Sequence, residues 1–159
     1  MSGLLLFTTP FIQSMNPTSE AMNNATQNVS IEDIEAGTYK LVQWQGRPVV
    51  IYRPSKESIK ELESMNKEVW GPDITEDNYQ ALYVYEPIST YLGCSLVDIA
   101  NRKETEYWPD GWLDQCHVGL WDYAGRTFRE HNATRGLKLE NLKSVKFKYV
   151  KNNVIQFYP

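Results

Sequence analysis

The chain has 159 residues, 42% of them apolar and 13% aromatic, which is the length of one domain with enough apolar side chain for a core of its own. Its 16 basic and 20 acidic residues are spread along the sequence and leave a net charge of -4, so there is no footprint for a phosphate backbone and nucleic acid is not an expected partner. Two cysteines and two histidines exclude a zinc ribbon and a four-thiolate cluster, and leave room for one disulfide or for a metal site with mixed ligands.

Leu4-Leu5-Leu6-Phe7 is a short apolar run, far below the roughly 20 residues of a membrane-spanning helix. It lacks the basic start of an export signal and reads as the last turn or two of a helix that begins before this chain. Residues 8–30 are rich in Ser, Thr, Asn and Pro without a period of 2 or 3.6, so residues 1–30 are expected to form a flexible arm and residues 31–159 the folded domain. Tyr39-Lys40-Leu41-Val42-Gln43-Trp44 and Val49-Val50-Ile51-Tyr52, separated by Gln45-Gly46-Arg47-Pro48, read as strand, turn and strand. Residues 55–66 read as a short amphipathic helix: Ser55 suits the cap, Glu57 the first turn, and Ile59, Leu62 and Met65 recur at threefold spacing.

Ala81-Leu82-Tyr83-Val84-Tyr85 is a strand candidate that stops before Pro87, and the stretch from there through Trp112 reads as turns. Later strands are expected at Gly119-Leu120-Trp121, at Thr127-Phe128, at residues 145–150 and at residues 154–157. Asn152-Asn153 supplies the hairpin turn between the last two, because Asn tolerates a positive φ. The fold class is therefore mostly β, in small antiparallel sheets with one short helix, and no internal repeat is present.

Both cysteines lie in two loops, Ser89-Thr90-Tyr91-Leu92-Gly93-Cys94 and Asp114-Gln115-Cys116-His117-Val118-Gly119. Here the sequence resembles the Rieske iron–sulfur subunits of cytochrome bc1 complexes, whose loops read C-T-H-L-G-C and C-P-C-H-G-S. The resemblance extends to Pro10-Phe11-Ile12-Gln13-Ser14-Met15-Asn16-Pro17, like the junction of membrane helix and neck, to Trp44-Gln45-Gly46-Arg47-Pro48-Val49, like the first hairpin, and to Asp122-Tyr123-Ala124-Gly125-Arg126, like the D-x-x-G-R after the second loop. It implies a Rieske-like fold and, as partners, the other subunits of a cytochrome bc-type membrane complex.

In that family one Cys and one His from each loop hold a 2Fe–2S cluster, and the remaining two cysteines form a disulfide. Laid on that pattern, the ligand positions of this chain are Ser89, Tyr91, Asp114 and His117, so only the histidine of the second loop is kept. Oxygen stands where the cluster needs soft sulfur, and no ordinary Rieske cluster is expected. The family's serine after C-H-G is Gly119, its tyrosine two further on is Trp121, and the proline-rich cover falls at His131-Asn132-Ala133-Thr134-Arg135, which has no proline. Cys94 and Cys116 occupy the positions of the disulfide pair, which implies an oxidising compartment, the periplasmic or intermembrane-space face of an energy-transducing membrane.

Taken together these residues suggest a cluster-less Rieske-like domain serving as a structural or accessory subunit of a quinol–cytochrome c reductase-type complex. The alternative is an electron-transfer subunit with an atypical iron centre, for instance a mononuclear iron on Tyr91, Asp114, His117 and Ser89, although nothing in the spacing selects it over remnants of substitution. A redox-active Cys94–Cys116 pair is less favoured than a structural disulfide, since no basic residue adjoins either thiol in sequence. Tyr107, Trp108, Trp112 and Trp121 suit a docking surface or a core, and Asn24, Asn28 and Asn132 stand in N-x-[ST] sequons that mean little without a secretory context.

Overall fold

A computed structural model describes residues 25–100, 110–134 and 136–159. Among the described residues, nine strands form three sheets of three, all pairings antiparallel. The first sheet is ordered β1-β9-β8, from β1 (Gln27–Ser30), β8 (Phe147–Lys151) and β9 (Val154–Phe157). The second is β2-β3-β4, from β2 (Thr38–Trp44), β3 (Arg47–Arg53) and β4 (Tyr83–Tyr85). The third is β5-β6-β7, from β5 (Leu96–Asp98), β6 (Trp112–Asp114) and β7 (Leu120–Trp121).

Strand β3 explains how the three sheets share one body. Successive side chains of a strand point to opposite faces. Val49 and Ile51 therefore pack with Val29, Ile155 and Phe157 of the first sheet, whereas Val50 and Tyr52 join a second core with Leu62, Trp112, Leu120 and Trp121. A strand buried on both faces reads as an unbroken apolar run, as Val49-Val50-Ile51-Tyr52 does. Its hairpin with β2 turns at Gln45 and Gly46, both at positive φ (50° and 75°), the backbone that a two-residue turn matched to strand twist requires.

Helix α1 (Lys56–Ser64) forms where the threefold apolar spacing predicts it. Ser55 Oγ accepts from the Ser58 amide at 3.1 Å, and Ile59 and Leu62 are buried. The Asn152-Asn153 turn is present, with Asn153 at φ 60°.

Elsewhere the structure corrects the sequence-based expectations. Residues 27–30, placed in the arm, form β1: Val29 is buried and pairs with Ile155, since one apolar residue inward is enough when β9 offers a free edge. The stretch read as turns contains β5, three residues whose pattern is too short to show a period. Thr127 and Phe128 form only isolated bridges, to Trp121 and Val69. A second helix, α2 (Arg129–Thr134), replaces the loop expected at His131 and Asn132. Asn132 is consequently buried, donating Nδ2 to Leu120 O (3.1 Å) and Thr127 Oγ1 (2.7 Å) while Oδ1 accepts from the Leu120 amide (3.1 Å), which makes it a bracket on β7. Trp112 and Trp121 are core residues, 3% and 0% exposed. Residues 1–24, Tyr107, Trp108 and Arg135 lie outside the described residues.

Candidate functional site

The register of the third sheet brings the two loops together. Leu96 pairs with Asp114, so Cys94, two residues before one, and Cys116, two residues after the other, extend from the same end of an antiparallel pair. They form a disulfide with a Cα–Cα distance of 6.6 Å. Each loop is also closed by its own backbone. In the first, the Ser89 amide donates to Cys94 O at 2.8 Å and Gly93 turns at φ 77°. In the second, the Asp114 amide donates to Gly119 O at 2.9 Å and the Val118 amide to Asp114 O at 2.7 Å.

All four expected ligand positions converge at this tip. Asp114 is inaccessible to solvent, and its Oδ1 accepts the amides of Cys116 (2.8 Å) and His117 (3.3 Å). Its Oδ2 faces His117 Nδ1 at 3.1 Å. Burial by itself would raise the Asp114 carboxyl, but hydrogen bonds from Ser89, from the His117 ring and from the two amides outweigh it and hold the group below the usual carboxylate range. Ser89 is buried and its Oγ also accepts the Tyr91 amide at 3.3 Å. The Tyr91 ring meets the His117 ring edge-on at 5.0 Å, and Tyr91 and Leu92 stand out into solvent, 46% and 68% exposed.

The groups that surround the tip pack closely against it. A Cβ on Gly119 would lie 2.6 Å from Leu139 Cδ1 and 3.0 Å from the Trp121 ring, so the space of a serine side chain is filled. Trp121 Nε1 donates to Glu140 O at 2.8 Å, and Thr90 Oγ1 donates to the same carbonyl at 3.0 Å, which ties the first loop to the segment after α2. His131 Nε2 lies 3.0 Å from Val118 O, so α2 buttresses the second loop from beneath.

A Rieske centre takes two thiolates on one iron and two imidazoles on the other. At this tip Ser89, Tyr91 and Asp114 offer oxygen, His117 offers a single imidazole, and both cysteine sulfurs are bonded to each other. The donor set does not fit that cluster.

The chemistry that reading by residue type missed is the role of Asp114 as a turn former. An aspartate that accepts the amides two and three residues on is an Asx-type turn, and Asp114-Gln115-Cys116-His117 carries that signal in the sequence. The buried pair Asp122–Arg126 uses the same device. Asp122 Oδ1 accepts the amides of Ala124 (3.0 Å) and Arg126 (2.8 Å), and its Oδ2 accepts from Arg126 Nε at 2.7 Å.

Small antiparallel sheets carrying a disulfide-linked, two-loop tip define a Rieske-like β domain. A chain of the solved structure "Hyperthermophilic respiratory Complex III" shares this fold with a TM-score of 0.53 over 95% of this chain and 89% of that one, at 15% identity. No protein-family model matches the sequence. Curated proteins do. The chain is 31% identical over 125 residues to the "Ubiquinol-cytochrome c reductase iron-sulfur subunit" of Rickettsia felis, covering 76% of this chain and 67% of that protein. It is 30% identical over 128 residues to the subunit of the same name from Rhodospirillum rubrum, covering 78% and 69%. It is 28% identical over 132 residues to "Cytochrome b-c1 complex subunit Rieske, mitochondrial" of Zea mays, covering 79% and 45%. The chain belongs to the family of Rieske iron–sulfur subunits of ubiquinol–cytochrome c reductase.

Proposed function

We propose that this chain is a Rieske-fold subunit that works without a 2Fe–2S cluster, as a structural or accessory component of a quinol–cytochrome c reductase-type membrane complex. The observation that carries the reading is Asp114. Where the family pattern has a ligand cysteine, a buried carboxylate gathers two amides, a hydroxyl and an imidazole, and so gives the second loop the internal tie that a metal centre otherwise supplies. The partners are other subunits of a cytochrome bc-type complex, met through the exposed Tyr91 and Leu92 at the tip. The residues before β1 serve as the tether, and β1 is the point where it joins the domain. Among the described residues no helix is long and apolar enough to cross a membrane. The disulfide favours an oxidising location, the periplasmic or intermembrane-space face.

The test is iron and acid-labile sulfide content of anaerobically purified native protein, with electron paramagnetic resonance after dithionite reduction. Neither iron nor sulfide is expected in folded, disulfide-bonded protein that co-purifies with a cytochrome b. A rhombic 2Fe–2S signal at near-stoichiometric iron overturns the proposal and makes the chain an electron carrier. Iron without sulfide overturns it in favour of a mononuclear centre on Asp114, His117, Tyr91 and Ser89.

A further inference from the structure

The side chains of Cys94, Asp114, Cys116 and His117 bring one donor atom each to within 4.8 Å of one another. Two of the four are locked in a bond to each other. With that bond open, two thiolates, one imidazole and one carboxylate lie close enough to offer four donors of the kind and number that a borderline-soft divalent cation takes in a tetrahedral site. We propose that the reduced chain holds one zinc ion on Cys94, Cys116, His117 and Asp114, so that the tip has two mutually exclusive states, disulfide-closed and zinc-closed.

Geometry supports a four-coordinate site at this place. The 3.1 Å between Asp114 Oδ2 and His117 Nδ1 is close to the edge of about 3.3 Å that oxygen and nitrogen ligands at about 2.0 Å subtend in a tetrahedron. Two thiolates at about 2.3 Å from zinc stand about 3.8 Å apart, which an opened disulfide reaches by rotation of the side chains alone. Asp114 Oδ1 remains engaged by the amides of Cys116 and His117, which keeps the carboxylate oriented, and an ion between Oδ2 and His117 Nδ1 would replace the contact that these two atoms make with each other. The backbone bonds that close each loop, Ser89 N to Cys94 O and Asp114 N to Gly119 O, do not depend on the disulfide.

The chemistry balances. A dithiol reductant transfers two electrons and two protons to the Cys94–Cys116 bond, yielding two thiols and the reductant's own disulfide. Zinc then displaces one proton from each thiol, the single proton of the neutral His117 ring moves from Nδ1 to Nε2 by exchange with solvent so that Nδ1 can bind, and the complex of three anionic ligands with a dication carries one negative charge. Cys116 is solvent-exposed and Cys94 partly so, which gives a reductant access. Because every chain is synthesised with free thiols, the zinc-competent state precedes the disulfide. The site shares the positions of Asp114 and His117 with the family's cluster site and differs from it in recruiting the pair of cysteines that the family keeps for the disulfide.

The experiment titrates the full chain, reduced with a phosphine under anaerobic conditions, with cobalt(II) and then with zinc in competition. One equivalent of cobalt with tetrahedral d–d bands and thiolate charge-transfer bands, displaced by zinc, is expected, and the oxidised chain should bind none. Loss of an outer-shell partner already costs metal sites 10–100-fold, so Asp114→Asn and His117→Ala should each weaken zinc by more than about tenfold. Affinity unchanged in both variants, or bands reporting fewer than four protein-derived ligands, overturns the site. Circular dichroism follows the same titration. A reduced chain that unfolds and is restored by zinc supports the proposal, whereas a reduced chain that stays unfolded with zinc, or stays folded and binds none, overturns it.

Discussion

Two aspartates, Asp114 and Asp122, are both sealed from solvent and both accept the amide two residues further on, yet they hold together different amounts of the molecule. The partners of Asp114 all lie within the two tip loops. Asp122 instead fixes Arg126, whose Nη2 donates to Leu62 O at 2.7 Å and whose Nη1 donates to Asn66 Oδ1 (2.6 Å) and Pro72 O (3.1 Å). Arg126 therefore closes an otherwise unpaired carbonyl near the end of α1 and clamps the loop that follows. The contrast sets a hub that reaches distant elements against a tie confined to one end of the molecule. A change at Asp122 or Arg126 would strand polar groups on elements 60 residues away in sequence, whereas a change at position 114 is absorbed by the loop that contains it.

The largest effect should therefore come from the hub. Arg126→Met leaves the Asp122 carboxylate buried without its cation and orphans the Leu62 carbonyl, so urea denaturation should show a loss of about 3–5 kcal/mol. Comparable stability in the variant would mean that the pair is solvated and that the contrast fails. The disulfide comes next. Its sequence separation is 22, for which the chain-entropy model gives about 3 kcal/mol, so Cys94→Ser with Cys116→Ser should lose about that much in metal-free buffer. Intact mass of the native chain should be two protons below that of the reduced chain.

Asp114→Asn tests the local side of the comparison and should cost about 1–3 kcal/mol at neutral pH, the range of hydrogen bonds to a charged acceptor. Its folded carboxyl lies below the ordinary 3.8, so the stabilisation is fully present above the unfolded value and is lost as pH falls through the folded one. The gap between native chain and variant should hold from neutral pH down to about pH 4 and close below it. A gap that persists into stronger acid would mean that shape, not charge, makes Asp114 important to the loop.

The sequence was most legible where one periodicity governs a segment. The β2–β3 hairpin, α1 and the last hairpin follow from alternation, threefold spacing and turn residues at Gln45-Gly46 and Asn152-Asn153. It was least legible where the partner decides. β1 contributes one buried residue, Val29, and exists because β9 has an open edge; α2 is six residues long and is held by Asn132 on β7 and His131 beneath Val118. At the tip, the family resemblance named the cysteine pair, which is bonded, and directed attention to Ser89, Tyr91, Asp114 and His117, which the fold brings near one another. What a carboxylate at Asp114 does could not be read from its identity as a lost ligand, since its partners are backbone amides that every residue carries.

The smallest predicted effect asks whether the second loop retains the backbone of its family. Val118 stands at the glycine of the C-H-G pattern and still adopts φ 63°, a left-handed conformation that a β-branched residue reaches only at a cost of about 1–2 kcal/mol. The turn is held from both sides, by the Val118 amide on Asp114 O and by His131 on Val118 O, so the strain persists. Val118→Gly removes the strain but adds unfolded-chain entropy and forfeits contacts that Val118 makes with the core, leaving a gain of no more than about 0.5 kcal/mol. Val118→Ala forfeits the same contacts and keeps a Cβ, and should be less stable than the native chain. Opposite signs for glycine and alanine, read as melting temperatures about 2–4 °C apart per kcal/mol, would show that the loop has kept its glycine backbone after losing its glycine. Equal losses in both would mean instead that Val118 is held there by its packing, and that the turn has been rebuilt around Asp114.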